Sequence, residues 1–197
     1  MGLVNSDPIR VVVAEDEAVI RMDLVEMLKE LGYQVVAEAF NGQQAVDLVR
    51  EHKPDVAFLD IAMPVRDGLS AAEEIASADL CAVVMVTAFS QRDVATKAAE
   101  AGAVGYVVKP FTMADLEPSI ALAMARWRQI QDLRGQVDAL GERAKAREDV
   151  ERAKATLQER FDMTEPEAFS WLRRSAMDRR VTLSEAATAL LSGQVTP

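Results

Sequence analysis

Five short apolar runs punctuate the first 124 residues: Ile9–Ala14, Gln34–Ala39, Val56–Leu59, Ala82–Val86 and Gly105–Val108. They are near-continuous rather than alternating, the pattern of parallel strands covered on both faces. Between them, apolar residues recur at helical spacing in Ala18–Leu31, Gln43–Glu51, Leu69–Ala76 and Arg92–Ala101, and a fifth such stretch starts after Thr112. Strand–helix repetition of this kind predicts an α/β fold with a doubly wound, five-stranded parallel sheet.

Beyond Thr112 the pattern changes. Ile130, Leu133, Val137, Leu140 and Ala144 follow a 3-4-3-4 spacing, a heptad seam of about two repeats that Gly135 and Gly141 weaken. Such a helix either pairs with a second copy or packs on its own chain. No strand pattern follows. Ala153–Phe161 reads as a helix, Thr164-Glu165-Pro166-Glu167 is a capping box opening another through about Arg179, and Thr182-Leu183-Ser184-Glu185 opens a last one to Leu191. The expected divisions are 8–124 for the sheet domain, 125–148 for a linking helix and 149–192 for a small all-α three-helix domain. A bundle this small buries little surface and needs support from the preceding helix or a second copy.

Charge sharpens the boundary. Residues 1–124 hold 9 Lys/Arg against 20 Asp/Glu, whereas 125–197 hold 13 against 12, within a total of −10. The acidic part repels nucleic acid; the second can meet it locally. Cys81 is the single cysteine, so there is no internal disulfide framework. The N-terminus lacks a basic-then-apolar signal pattern, and no stretch approaches the roughly 18 apolar residues of a membrane span. A cytoplasmic protein without membrane contact is expected.

In doubly wound sheets ligands sit beyond the carboxyl ends of the strands. The polar residues there are Glu15-Asp16 after the first run, Asp60 after the third, Thr87 after the fourth and Lys109-Pro110 after the fifth. Carboxylates forced together raise each other's cost of ionisation unless a cation shares the space, and hard oxygen donors suit Mg²⁺. With a metal beside it, Asp60 can attack a phosphoryl group as a carboxylate nucleophile. Lys109 supplies a compact charge for the phosphoryl oxygens and the Thr87 hydroxyl a donor. Taken singly, Glu15-Asp16 could cap a helix, Thr87 could end a strand and Lys109 could be solvated; their joint placement at strand ends is what points to a site.

"AEDE" after the first strand, "FLDIAMPVRDG" at the third, "VTAF" at the fourth and "YVVKPF" at the fifth resemble a response-regulator receiver domain over about residues 8–124. The resemblance implies a flavodoxin-like fold and a phosphoryl group accepted on Asp60 from a sensor histidine kinase. It also implies Mg²⁺ held by Asp16, Asp60 and the Ala62 carbonyl with Glu15 assisting, a Thr87–Tyr106 switch pair, and a cis bond at Lys109-Pro110. Family members usually carry two aspartates where Glu15-Asp16 stand, and the longer Glu15 can hold the metal through water. Aspartate-nucleophile phosphatases use similar residues, but they carry a second acid two residues after the nucleophile, and here that place is Ala62.

The tail "VERAKATLQERFDMTEPEAFSWLRRSAMDRRVTLSEAATALL" resembles the ANTAR domain over about residues 133–192, through Ala153-Lys154, Ala168, Leu172-Arg173-Arg174, Ala176-Met177 and Ala186-Ala187. That resemblance implies RNA binding at stem-loops and transcription antitermination. Lys154, Arg173 and Arg174 are the candidate RNA contacts, since guanidinium groups hold phosphates and stack on unpaired bases. Trp171 is either core or a base-stacking edge, and His52 is read as surface. A DNA-binding tail is the rival, for which a stronger basic balance is expected. Phosphorylation is expected to release the heptad seam into a homodimer.

Overall fold

The computed structural model describes residues 8–88 and 92–197, without the side chains of 92–94. Phe89 of the VTAF motif therefore lies outside the described residues. The chain divides into two compact units, residues 1–131 and 132–197.

In the first unit, β1 (Arg10–Ala14), β2 (Gln34–Ala39), β3 (Val56–Asp60), β4 (Ala82–Thr87) and β5 (Gly105–Val108) form one parallel sheet in the order β2-β1-β3-β4-β5. This is the flavodoxin-like topology expected for the sheet domain. The strands alternate with α1 (Ala18–Glu30), α2 (Gly42–His52), α3 (Gly68–Ser77) and α4 (Arg92–Glu100), and α5 (Met113–Phe161) follows β5.

Period-two projection explains the continuous apolar runs. Val12, Ala14, Ala57, Leu59, Val83 and Met85 point to one face, where Ala45, Val46 and Val49 of α2, Ala71, Ala72 and Ile75 of α3, and Ala98 of α4 cover them. Val11, Val13, Val56, Phe58, Val84 and Val86 point to the other, against Leu24 and Leu28 of α1 and Leu116, Ile120 and Ala123 of α5. Since both faces are dry over β1, β3 and β4, those strands admit polar residues only at their ends, whereas the edge strand β2 carries the exposed Glu38. Cys81 sits in this core, where burial pushes its thiol up to about 12 and leaves it protonated.

Local chemistry sets several boundaries. Asn41 caps α2 by accepting from the Gln44 N–H, and Lys53 ends that helix in the left-handed region, just after the half-buried His52. Asp67 caps α3 by accepting from the Ser70 N–H at 2.8 Å. Gly68 is required by space: a Cβ there would overlap the Asp60 carbonyl.

The second unit joins the end of α5 to α6 (Glu165–Arg179) and α7 (Leu183–Leu191) around Ala153, Leu157, Ala168, Leu172, Ala187 and Leu190. Both capping boxes form: the Glu167 carboxylate accepts from Thr164 N–H at 2.8 Å, and that of Glu185 from Thr182 N–H at 2.7 Å. One difference from the sequence reading concerns Ala153–Phe161, which is no separate helix but the last turns of a continuous 49-residue α5. Gly135 and Gly141 lie within it with nothing near their missing side chains, so they lower helix propensity without blocking the backbone.

Gly68→Ala is expected to destabilise the first unit by about 2 kcal/mol, because the added methyl must displace main chain. Gly135→Ala, on an open helical surface, should stabilise by up to about 1 kcal/mol. Urea unfolding followed by circular dichroism checks both signs.

Candidate functional site

Strand register builds the site. Ala14 pairs with Leu59, so Glu15 emerges beside Asp60; Asp60 pairs with Val86, one residue before Thr87; Thr87 pairs with Val108, one residue before Lys109. The Thr87 carbonyl accepts from the Lys109 N–H at 2.7 Å, which holds the end of β5 level with β4.

Lys109 is the centre of the cluster. Its Nζ lies 2.6 Å from Glu15 Oε2 and 2.9 Å from Asp60 Oδ1, with side chains 12%, 1% and 7% exposed respectively. The Ala62 N–H donates to Asp60 Oδ2 at 3.0 Å. Asp16, exposed at the rim, completes a group with Glu15 and Asp60 whose carboxylate oxygens lie within 4.8 Å of one another. The Lys109-Pro110 bond is cis.

The electrostatics follow from burial. Desolvation raises the Glu15 carboxyl above its ordinary value; Lys109 pulls it back and the Asp60 charge adds to the rise. Burial by itself would lower Lys109, yet its close pairing with the Glu15 and Asp60 carboxylates outweighs it, and its ammonium is held above the ordinary 10.5. Glu15 Oε2 is close to Lys109 but has no hydrogen bond of good geometry. A buried carboxylate oxygen left so, beside two more carboxylates, fits a small divalent cation with hard oxygen preference.

The other named residues are placed less uniformly. Thr87 is buried at the end of β4. Tyr106 is 49% exposed and lines a groove with Lys109, Pro110, Ala114 and Pro118. In the second unit Arg173 and Arg174 are exposed on α6. Lys154 is instead held between Glu151 and Glu165, each at 2.9 Å, so its charge is locally neutralised. Trp171 is half-buried against the small core.

Two positioning residues escaped the motif reading. Arg21, 11% exposed, donates to the Glu15 carbonyl at 2.7 Å, pairs with Glu38 at 3.3 Å and sits 4.3 Å from the Phe40 ring centroid. It ties the acidic loop to β2. The signal for it was an arginine among the apolar residues of α1. Arg66 pairs with Glu74, and its carbonyl accepts from the Gly42 N–H at 3.0 Å, which fastens the loop after Asp60.

A five-stranded parallel sheet of this order, with acids and a lysine converging at its carboxyl edge, defines the receiver class. The chain belongs to the response regulators: it matches the response regulator receiver domain over residues 11–121 and the ANTAR domain over residues 138–191. It is 53% identical over 190 residues to the transcriptional regulatory protein PdtaR of Mycobacterium tuberculosis (strain ATCC 25618 / H37Rv), covering 96% of this chain and 93% of that protein. Among solved structures, the signal receiver domain of NarL from Mycobacterium tuberculosis is similar with a TM-score of 0.58 and 31% identity, over 61% of this chain and 98% of that one. A CheX–CheY–BeF₃–Mg²⁺ complex from Borrelia burgdorferi is similar with a TM-score of 0.55 and 25% identity, over 57% of this chain and 87% of that one.

The protein is therefore a response regulator that acts on gene expression through ANTAR-type RNA binding. A receiver domain implies a histidine kinase partner, and the two-domain architecture is that of a regulator. Among the described residues no helix is long and apolar enough to cross a membrane.

Lys109→Met in metal-free buffer should destabilise the receiver by about 3 kcal/mol, since it leaves Glu15 and Asp60 buried without a counter-charge. The raised Lys109 value means its stabilisation is fully present below pH 10.5 and lost as pH rises through the higher folded value. Urea midpoints of the wild type should fall above pH 10.5, and the fall should be shallower in Lys109→Met.

Proposed function

We propose that Asp60 accepts the phosphoryl group and that Glu15, Asp16, Asp60 and the Ala62 carbonyl hold Mg²⁺. The observation that carries this is the ammonium of Lys109 bridging Glu15 and Asp60 at 2.6 and 2.9 Å at the carboxyl edge of the sheet. An Asp60 carboxylate oxygen attacks phosphorus of a phosphohistidine. The P–N bond breaks with its electron pair left on the imidazole, and an acyl phosphate forms on Asp60. Mg²⁺ bound here would neutralise charge on the carboxylates and on the phosphoryl oxygens. That the Borrelia complex contains Mg²⁺ and BeF₃ supports the assignment.

Lys109 then exchanges Glu15 for a phosphoryl oxygen, and the Thr87 hydroxyl donates to another. Drawing Thr87 towards the new anion opens space that Tyr106, now turned outward, can occupy. Thr87 and Tyr106 are thus the switch pair. The readout is association: Leu133, Val137 and Leu140 are 54%, 66% and 63% exposed at heptad spacing on α5, an apolar seam suited to the same seam of a second copy. Residues 8–124 act as the receiver, 125–148 as the pairing segment and 149–192 as the RNA-binding domain. Two such domains side by side bind paired stem-loops with an affinity one small bundle lacks, and compete with a terminator. Arg173 and Arg174 carry the RNA contact. Lys154 adds to it when RNA phosphate displaces its carboxylates. The reading places the protein in the cytoplasm, where kinase and transcript meet.

Incubation with Mg²⁺ and acetyl phosphate should add one base-labile phosphate. Asp60→Asn and Asp16→Asn should abolish it and Glu15→Gln should weaken it; label persisting on Asp60→Asn refutes the assignment. Sedimentation of the phosphorylated protein at micromolar concentration should report a dimer. Leu140→Lys should keep it monomeric without loss of label, and a wild-type mass unchanged by phosphorylation sinks the association switch.

A further inference from the structure

The second unit carries a groove that the receiver chemistry does not use. It has a volume of about 510 Å³ and is lined by Phe161, Asp162, Trp171 and Arg174 among others. Phe161 is the last residue of α5 and is 39% exposed. Asp162 follows in the left-handed region with φ 52. Trp171 and Arg174 lie three residues apart on α6 and so share one face. Trp171 is steadied by packing partly on Ala153, Leu157 and their neighbours. Two aromatic rings therefore flank an open groove beside a guanidinium.

The state of the charges narrows the occupant. Lys154 is spent on Glu151 and Glu165. Glu167, also on the groove, is spent on the Thr164 cap at 2.8 and 2.6 Å. Among the described residues Arg174 has no ion-pair partner and Asp162 no donor. A bare phosphate inside the groove would be repelled by the Asp162 carboxylate. A nucleobase would not: its flat face suits the rings, its amino or imino N–H suits Asp162, and its phosphodiester stays outside on Arg174. Bases stacked within a duplex cannot enter.

We propose that this groove seats one unpaired base of an RNA hairpin loop, stacked on Phe161 and Trp171, with Arg174 on the adjoining phosphate. This rests on the RNA-binding reading and assigns it a seat.

The test selects hairpins with a constant stem and a randomised loop on the full-length chain treated with Mg²⁺ and acetyl phosphate. Affinities of the enriched hairpin are then measured for variants folded by circular dichroism. Phe161→Leu and Trp171→Leu should each weaken binding about tenfold, Trp171→Tyr should retain it, and Phe169→Leu, an exposed aromatic outside the groove, should leave it unchanged. Arg174→Ala should weaken binding and lower the salt slope by about one phosphate contact. An abasic scan should find one loop position whose loss removes the difference between wild type and Phe161→Leu. Hairpins that bind Phe161→Leu and Arg174→Ala within about twofold of wild type overturn the groove while leaving RNA binding standing. A selection that enriches no hairpin overturns both.

Discussion

Carboxylates of three residues, Glu15, Asp16 and Asp60, converge within 4.8 Å at the rim of an apolar sheet, and one ammonium reaches two of them. Left alone, such charges repel across a medium that screens poorly. The receiver is organised around keeping them together. Adjacent β1 and β3 bring Glu15 and Asp60 side by side, and β5, beyond β4, returns Lys109 to the same edge. Arg21 holds the Glu15 main chain, and Arg66 and Gly68 hold the loop that follows Asp60. The dry interior on both faces of the sheet supplies the rigidity that this convergence needs, with Phe58 and Leu59 fully buried immediately before Asp60.

The cluster carries its own readiness to change. If the cluster takes a cation and a phosphoryl group as proposed, their arrival exchanges the partners of Lys109 rather than ordering a free side chain. Buried ion pairs contribute little net stability after desolvation, which makes them good elements to exchange. Glu15 reaches Lys109 from a fully buried position. Asp16, one residue on, stays at the rim.

The second unit follows another economy. Its core is small and rich in alanine, with Ala153, Ala168 and Ala187 letting helices approach closely around Leu157, Leu172 and Leu190. Two reciprocal capping boxes stabilise helices that have little buried area to hold them. Charge is divided between structure and surface: Lys154 ties α5 to α6 through Glu165, while Arg173 and Arg174 remain outward.

Much of this protein was legible from local patterns. Apolar runs of strand length gave five strands, and the first polar residues after the first, third, fourth and fifth gave the members of the acidic site, because strands covered on both faces admit charge only at their ends. Thr164–Glu167 and Thr182–Glu185 marked helix starts, because a capping box is chemistry within four residues. What reached across the chain was not legible. The Arg21 clamp on Glu15, the reach of Lys154 across to Glu165, the outward Tyr106 and the groove beside Trp171 depend on which segments meet, and no local spacing encodes that. Continuity of α5 was decided the same way: Gly135 and Gly141 argue against a long helix, but Leu116 and Ile120 are buried in one core and Ala153 and Leu157 in another, so packing towards both ends holds the helix through its weak middle.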